Sequence, residues 1–242
     1  MKTMHALTIL TYLVAIVMFS SPASAETDIG IGLSPLVGTH DEGGGPQWVP
    51  PVPIPVVEVR HRTGPMEVFF ETLPIALPIA HGAGNGLSST TNLAFFDGAI
   101  RVYISGDRAY VGLGELVYNQ RTAYSTGQVN SSRVAGGRYE IGTLLLPGRR
   151  LRVEFDYAPH MSGSVAQNYP LPGGAVGRIS VPESGGQVEA NLQYTNPHDA
   201  TELRYGLRYL NYVEGFPGGM VADHNVGVLP SITFLWHFGS RR

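Results

Sequence analysis

The sequence predicts an all-β fold: a closed, antiparallel, up-and-down transmembrane β-barrel of about ten strands. Three observations lead to this prediction. Apolar residues alternate with polar or charged residues along many runs, and short and long connections alternate along the chain. The 242 residues also include 31 glycines and 18 prolines but only 14% charged residues. This composition favours many strands and turns over helices.

The N-terminus has the organisation of an export signal. Lys2 precedes an apolar run over 7–19, and the Ala-Ser-Ala segment at 23–25 has the pattern that a signal peptidase cleaves. The run is shorter than the roughly 20 residues that a spanning helix needs. We therefore expect residues 1–25 to be a cleaved signal peptide and residues 26–242 to form a single barrel domain. The chain has no cysteine, which excludes disulfides and a lipoprotein anchor.

Alternation with a period of two is clearest over 202–209, where Leu and Tyr interleave with Glu, Arg and Gly. The same pattern covers 151–157, 187–194 and 231–238. Because successive side chains of a strand point to opposite faces, each run has one apolar and one polar or charged face. A sheet that is half buried in water alternates in the same way, so the pattern alone leaves a soluble sandwich open.

The lengths of the connections favour the barrel. Short connectors rich in turn residues alternate with longer stretches that are polar or rich in Gly and Pro. The short connectors lie near 63–65, 105–108, 147–150 and 196–199, and the longer stretches near 38–53, 76–91, 122–132, 163–186 and 215–226. Membrane barrels have tight turns at one end and longer loops at the other. The alternation predicts about ten strands, with eight as the alternative, and places both chain termini at the periplasmic end.

Prolines are expected where strands leave the membrane. Pro35, Pro74, Pro159 and Pro230 each fall far from the nearest short turn or chain end. Since proline has no N–H for a strand ladder, we expect these four residues at the external rim. The Pro-rich segment near 46–55 is expected to form an extended, polyproline-like loop at the mouth.

Taken in order, these features resemble the bacterial outer-membrane β-barrel proteins. The resemblance rests on the export signal, on the segment 28–33 that opens the mature chain, on the alternating strands, and on Phe234, Trp236 and Phe238 in the last strand. It covers nearly all of the mature chain. It implies residence in the outer membrane of a Gram-negative bacterium, contact with outer-membrane lipid, and insertion by the barrel-insertion machinery.

If the apolar faces meet lipid, the charged residues of the opposite faces gather in the lumen. The predicted lumen-facing charged network comprises Glu58, Arg60, Arg62, Glu67, Glu71, Asp97, Arg101, Arg138, Glu140, Arg152, Glu154, Asp156, Glu189, Glu202, Arg204, Arg208 and Glu214. Under one interpretation these residues neutralise each other and fill a narrow barrel, because buried charges need partners. Under the other they line a pathway or cavity that selects a small solute or ion by charge.

His160 and Ser162 form a candidate polar rim site. Together with Asp156 they alternate along one run, so all three are predicted to face inward near the external end. A carboxylate, an imidazole and a hydroxyl are the components of a nucleophilic hydrolase. The His-x-Ser spacing also resembles that of the lipid A deacylase barrels, but no supporting glutamate lies at a matching position. We therefore predict a rim histidine beside a rim serine, and no catalytic residue.

Composition narrows the function further. A formal charge of −3 argues against nucleic-acid binding. The histidines and acidic residues lack the spacing of metal motifs, so we expect no metal and no cofactor. The expected protein is a porin-like outer-membrane barrel of structural, adhesive or small-solute channel type. The alternatives are a barrel enzyme that acts on envelope lipid and a soluble secreted β-sandwich binding protein.

Overall fold

The computed structural model describes residues 25–41, 47–73, 77–84, 87–104, 108–146, 150–196, 201–215 and 221–239. The predicted signal peptide lies outside these residues except for Ala25. Among the residues so described, no helix has the length and apolar character needed to cross a membrane.

Strands account for most of the described chain. They are β1 (Glu26–Asp41), β2 (Gln47–Thr63), β3 (Met66–Thr72), β4 (Leu77–Gly84), β5 (Leu87–Ile104), β6 (Ala109–Tyr124), β7 (Val129–Leu146), β8 (Leu151–Pro170), β9 (Val176–Thr195), β10 (Thr201–Gly215) and β11 (Val221–Gly239). A short 3-10 turn, Pro172–Gly174, lies between β8 and β9.

The strands form one closed antiparallel barrel. Consecutive strands pair with each other, except that β3 and β4 both pair with β5 and so share one position in the sheet, on either side of Leu73. The first and last strands close the barrel, with Glu26 opposite Gly239. The barrel therefore has ten strand positions in up-and-down order, which confirms the predicted fold class.

The two faces of the barrel wall have opposite chemistry. On β9 the inward-facing Glu189, Asn191 and Gln193 are buried, whereas the outward-facing Val188 and Leu192 are 45% and 41% exposed. A soluble sandwich would bury its apolar face and expose its charged one. The observed arrangement is the reverse and is that of a barrel solvated by lipid, so the sandwich alternative is wrong.

The outward apolar band covers only part of each strand. On β6 the outward positions from Ala109 to Val117 are apolar except for Glu115, and the next outward position is Asn119. This length agrees with the 9–11 residues that a tilted strand needs to cross the membrane. Since β6 continues to Tyr124, the barrel extends beyond the apolar band at the end opposite the chain termini. We call this end the external end.

This external extension replaces the long loops that the sequence predicts. The stretches 122–132 and 163–186 are mainly strand, closed by turns at 125–128 and 171–175. The Pro-rich segment predicted as a loop near 46–55 is also strand, from Gln47 onward. Strand pairing satisfies the backbone groups of these segments, so their polar or Pro-rich composition did not require loops.

Pro35 and Pro230 lie inside strands and not at the external rim. In the β1–β11 register they face each other, and the pairing is interrupted there between Leu33 and Val37. Proline has no N–H to donate to a neighbouring strand. Because both prolines stand at the same interruption, hydrogen bonds between β1 and β11 are lost at only one place. Pro74 lies outside the described residues.

Pro159 lies at a β-bulge in β8. Between Ala158 and Met161 the pairing advances three residues on β8 but only two on β9, so β8 has one extra residue. One extra residue reverses the face to which the following side chains point. Ala158 and Met161 are accordingly both buried inside the barrel, whereas His160 is exposed.

Candidate functional site in the barrel lumen

Charged side chains fill the periplasmic half of the lumen. The buried members of the predicted network are Glu58, Arg60, Glu67, Glu71, Asp97, Arg101, Arg138, Glu140, Arg152, Glu154, Asp156, Glu189, Glu202, Arg204 and Arg208. We call these fifteen residues the charged layer. Arg62 is only half-buried, with its guanidinium 3.8 Å from the centre of the Tyr103 ring. The side chain of Glu214 lies outside the described set.

Arg138 joins carboxylates from three strands. Its Nη2 lies 2.5 Å from Glu140 of the same strand and 3.0 Å from Asp156 of β8, while its Nη1 contacts Asp97 of β5. These side chains are all nearly inaccessible to solvent. Contacts of one guanidinium group with several carboxylates compensate an arginine for its loss of water.

Arg101 continues the network across the lumen. Its Nε lies 2.5 Å from Glu140 and its Nη1 lies 2.9 Å from Glu67 of β3. The Tyr103 hydroxyl donates a second hydrogen bond to Glu67 at 2.9 Å. Neighbouring strands thus share both carboxylates, which ties β3, β5 and β7 together from the inside.

Arg204 and Arg208 of β10 reach the opposite wall. Arg204 lies 2.6 Å from Glu71 of β3 and 3.0 Å from Glu58 of β2, and Arg208 lies 2.9 Å from Glu71. Arg208 also donates from Nε to Glu189 of β9 at 2.6 Å. Because β3 lies four positions from β10 around the barrel, these contacts cross the lumen.

The periplasmic edge of the charged layer is centred on Arg60. Its Nε lies 2.5 Å from Glu58, and its Nη1 lies 3.1 Å from both Glu202 and Gln193. Beside it, His237 of β11 contacts Asp28 of β1 across the strand pair that closes the barrel. A hydrogen bond between side chains therefore reinforces the closing seam at its periplasmic end.

An aromatic ring occupies the middle of the charged layer. Phe69 is 1% exposed, and the guanidinium carbons of Arg101, Arg138 and Arg204 lie 4.2, 5.0 and 5.7 Å from its ring centre. Guanidinium groups at this distance are attracted to the face of a ring. Phe69 consequently fills the axis of the lumen, where a water-filled channel would have its pathway.

The charged layer is a packed filling of the barrel. It holds six arginines and nine carboxylates, and five of the arginines contact two or more carboxylates each. Withdrawing charges from water costs several kcal/mol per ion, which only such multiple contacts offset. Of the two interpretations of the lumen, the geometry corresponds to a packed network of ion pairs that fills a narrow barrel, although carboxylates outnumber arginines in it.

A second layer, which is apolar, lies on the external side of the charged layer. Its inward-facing side chains are Ile54, Val56, Leu73, Leu93, Phe95, Leu116, Tyr118, Val134, Ala158, Met161, Leu210 and Leu229. All are buried and form one cluster, although they come from strands around the whole barrel. We call this cluster the apolar layer. A hydrophobic constriction of this kind opposes the passage of water and ions.

Tyr118 connects the two layers. Its hydroxyl donates to Gln187 at 2.8 Å and accepts a hydrogen bond from Arg208 at 3.3 Å. Its ring packs 5.7 Å from that of Phe95, within the apolar layer. Tyrosine suits this boundary because its ring is apolar and its hydroxyl is polar.

Sequence reasoning missed the apolar layer, although the alternation contained a signal for it. Ile54 and Val56 have the same phase in β2 as Glu58 and Arg60, so all four must face the same side of the wall. Assigning every apolar residue to the lipid-facing side ignored this phase. The lumen is therefore charged over only part of its length.

The predicted network also omits Glu183, an inward-facing carboxylate on the external side of the apolar layer. It is 7% exposed and accepts a hydrogen bond from the Ser132 hydroxyl. It lies in the external extension, where the outward neighbour Ser184 is already polar. Burial raises the pKa of the Glu183 carboxyl, and the hydrogen bond from Ser132 partly opposes that rise.

The predicted grouping of Asp156, His160 and Ser162 on the inward face is wrong. Asp156 is buried in the charged layer, where Arg138 and Asn191 contact it. His160 and Ser162 are exposed, because the bulge in β8 reverses the alternation between Asp156 and these two residues. The wall of the barrel separates the carboxylate from the imidazole and the hydroxyl.

His160 and Ser162 instead border a groove of about 400 Å³ on the outer face, with Ser184 and Asn211 on the neighbouring strands. Among the side chains that the structure describes, no carboxylate lines this groove. Within the described part of the chain, no group of three or more His, Cys, Asp or Glu side chains is placed to hold a metal ion.

Comparison with known proteins shows similarity of fold only. No protein-family profile matches the chain, and no curated protein matches it in sequence. The outer-membrane protease OmpT from Escherichia coli is 12% identical with a TM-score of 0.51, over 90% of this chain and 98% of that one. The toluene transporter TbuX from Ralstonia pickettii is 8% identical with a TM-score of 0.41, over 93% of each chain. The attachment invasion locus protein Ail from Yersinia pestis is 12% identical with a TM-score of 0.40, over 89% of this chain and 99% of that one.

Similarity of fold at this level does not specify an activity. OmpT is an outer-membrane protein, and up-and-down barrels of this kind occur in the outer membrane. The ten strand positions, the lipid-facing apolar band and the polar interior agree with that class. The chain has the closed, up-and-down β-barrel fold that proteins of the bacterial outer membrane use.

Proposed function

We propose that the protein is a closed outer-membrane barrel of structural or adhesive type, and not an open channel for small solutes. The observation that supports this proposal is the stacking of two packed layers across one lumen. The charged layer surrounds Phe69 on the barrel axis, and the apolar layer lies directly external to it. A solute would have to break ion pairs in the first layer and separate apolar side chains in the second.

The part of the barrel that is free to act is then its outside and its external extension. β8 and β9 are the longest strands of the described chain, with 20 residues each, and near the tip of their hairpin Val176 is 69% exposed and Leu171 41% exposed. Exposed apolar side chains on a rigid hairpin are suited to contact another surface. This hairpin is where we place an adhesive role.

The proposed function is non-enzymatic. The carboxylate, imidazole and hydroxyl of Asp156, His160 and Ser162 are the catalytic combination that the sequence suggested, and the barrel wall divides them. A nucleophilic hydrolase needs the base within hydrogen-bond reach of the nucleophile and an orienting group behind the base. The bulge in β8 separates these groups, so the geometry that supported the alternative of a lipid-modifying enzyme is absent.

The export and insertion features complete the proposal. β1 begins at Glu26, directly after the proposed cleavage site, so removal of residues 1–25 leaves every barrel strand intact. Phe234, Trp236 and Phe238 face outward on β11 and are at least 42% exposed, available to the insertion machinery. The mass of the protein extracted from outer membranes should therefore correspond to a chain that begins at Glu26.

Single-channel recording in a planar bilayer tests the closed lumen. The purified protein, shown to be folded by its shift in gel mobility on heating, should give no conductance steps at any voltage. A matched pair of triple variants controls for insertion. F95A/L116A/Y118A thins the apolar layer, and F155A/Y157A/L207A removes comparable side chains from the outer face. Steps from the wild type as frequent as those from the first variant would overturn the proposal.

A further inference from the structure

A cationic groove lies on the outer face of the barrel just beyond the apolar band. It runs across β5, β6 and β7, has a volume of about 410 Å³, and is lined by Asn92, Asn119, Arg121 and Arg133 among others. Both arginines are exposed on the outside of the wall. We call it the arginine groove.

The strand register fixes the height of the groove. Val117 of β6 stands between Phe96 and Ala135 in an apolar outward row. In the next outward row Asn119 stands opposite Arg133, and in the row after that Arg121 stands opposite Asn92 and Ser131. The arginines therefore occupy the first two rows above the apolar band, the level of the lipid headgroups.

The charges in this groove differ from those in the lumen. In the register of β6 and β7, Arg121 and Arg133 are diagonal neighbours, with Cβ atoms about 7–8 Å apart. No carboxylate of the described chain forms an ion pair with either of them, and the outward Glu115 lies two rows below Arg133. Two like charges side by side favour an anion between them from outside the protein.

We propose that the arginine groove binds the phosphate group of a lipid in the outer leaflet. Two guanidinium groups can donate several charge-assisted hydrogen bonds to one phosphate, a geometry that suits arginine better than lysine. The amides of Asn92 and Asn119 offer further hydrogen bonds to the headgroup. The acyl chains of the same molecule then lie along the apolar outward rows below, where Ile100 and Leu113 stand opposite each other and are exposed.

A lipid is favoured over a soluble anion because the groove opens sideways, at the edge of the membrane, and its lower end meets the apolar band. This inference rests on the proposed residence of the barrel in the outer membrane. It adds a specific contact to the general expectation of outer-membrane lipid as a partner.

The test compares two double variants of the full chain in detergent. R121Q/R133Q removes both charges from the groove, and R108Q/R178Q removes two exposed arginine charges elsewhere. Each protein is titrated with lipid A that carries its phosphates, with dephosphorylated lipid A, and with inorganic phosphate. We expect R121Q/R133Q to bind phosphorylated lipid A at least about tenfold more weakly than the wild type, since the variant loses the charge-assisted hydrogen bonds of both guanidinium groups. R108Q/R178Q should bind as the wild type does.

Three results would overturn the inference: equal affinity in both double variants, affinity that survives dephosphorylation of the lipid, or displacement of lipid A by millimolar inorganic phosphate. The last result would identify a site for free anions. A wild-type protein that shows no mobility shift on heating would instead contradict the proposed barrel, so the two failures are distinguishable.

Discussion

The two layers of the lumen close the same barrel by different physical means. In the charged layer, Arg138 alone contacts three carboxylates, and the other arginines with ion pairs likewise depend on specific partners. In the apolar layer, Leu116 and its neighbours pack without directional contacts. Ion pairs require particular partners at particular distances, whereas apolar side chains require only volume. The charged layer therefore specifies which strands stand where, and the apolar layer keeps water out.

The largest expected effect is the loss of one arginine from the charged layer. Arg138→Met keeps most of the side-chain volume but leaves Asp97, Glu140 and Asp156 buried with one cation fewer. The free energy of unfolding should fall by about 3–5 kcal/mol, the usual cost of breaking a buried ion pair from one side. Urea unfolding in phospholipid vesicles measures this change.

Two further variants define the origin of that loss. Arg178→Met, at an exposed position in the external extension, should leave the unfolding free energy nearly unchanged. Adding Asp97→Asn to Arg138→Met should recover part of the stability, because it removes one of the uncompensated charges. Equal losses in Arg138→Met and Arg178→Met would contradict the view that the charged layer is held by its ion pairs.

A smaller effect is expected from the apolar layer. Leu116 is completely buried, so Leu116→Ala should reduce the free energy of unfolding by about 2–5 kcal/mol, depending on how far the neighbours close the cavity. The loss should stay at the low end, because the cluster has many flexible members, and the single variant should remain non-conducting. Leu113→Ala on the outer face, where Leu113 is 66% exposed, is the matched control and should cost less. A greater loss at Leu113 would mean that lipid contact, and not lumen packing, dominates.

The smallest effect concerns Glu183, beyond both layers. Its raised pKa means that the folded protein favours the protonated carboxyl. The resulting stability is fully present below the ordinary value of 4.5 and is lost as the pH rises through the pKa of the folded state. Glu183→Gln should therefore unfold at a higher temperature than the wild type at pH 7, with the gap closing below pH 4.5.

Ser132 supplies the control for that pH dependence. Ser132→Ala removes the hydrogen bond that opposes the rise in the pKa of Glu183, so it should lose more stability than the wild type between pH 4.5 and pH 7. Identical pH profiles for the wild type, Glu183→Gln and Ser132→Ala would show that burial of this carboxylate has no energetic consequence.

Alternation in the sequence was sufficient to predict the barrel and the inward position of the charged layer. It works there because Glu189, Asn191 and Gln193 keep one phase against Val188 and Leu192 without interruption. The apolar layer could also have been found, since Leu93 and Phe95 have the phase of Asp97 and Arg101. Composition led to the opposite assignment, because lumen-facing and lipid-facing apolar residues have the same chemistry.

Other features depended on information that a single run of sequence does not contain. The long strands of the external extension form because neighbouring segments pair with each other, as 163–170 does with 176–183. The extra residue in β8 appears only in the register against two neighbours, and Pro159 alone does not reveal it. The predicted inward position of His160 and Ser162 was wrong because it assumed regular alternation past this extra residue.

The bulge in β8 makes the length of this strand as important as its composition. Deleting His160 would leave every chemical group of the lumen wall in the chain, yet it would restore unbroken alternation above Ala158. Met161 and Val165 would stay buried and Ser162 and Ser164 would stay outside, because Ala158 and Met161 would then be two positions apart. Relatives of this protein should therefore tolerate the loss of this one extra residue, whereas the loss of one residue from the regular part of β8 would reverse the faces beyond it and should be rare.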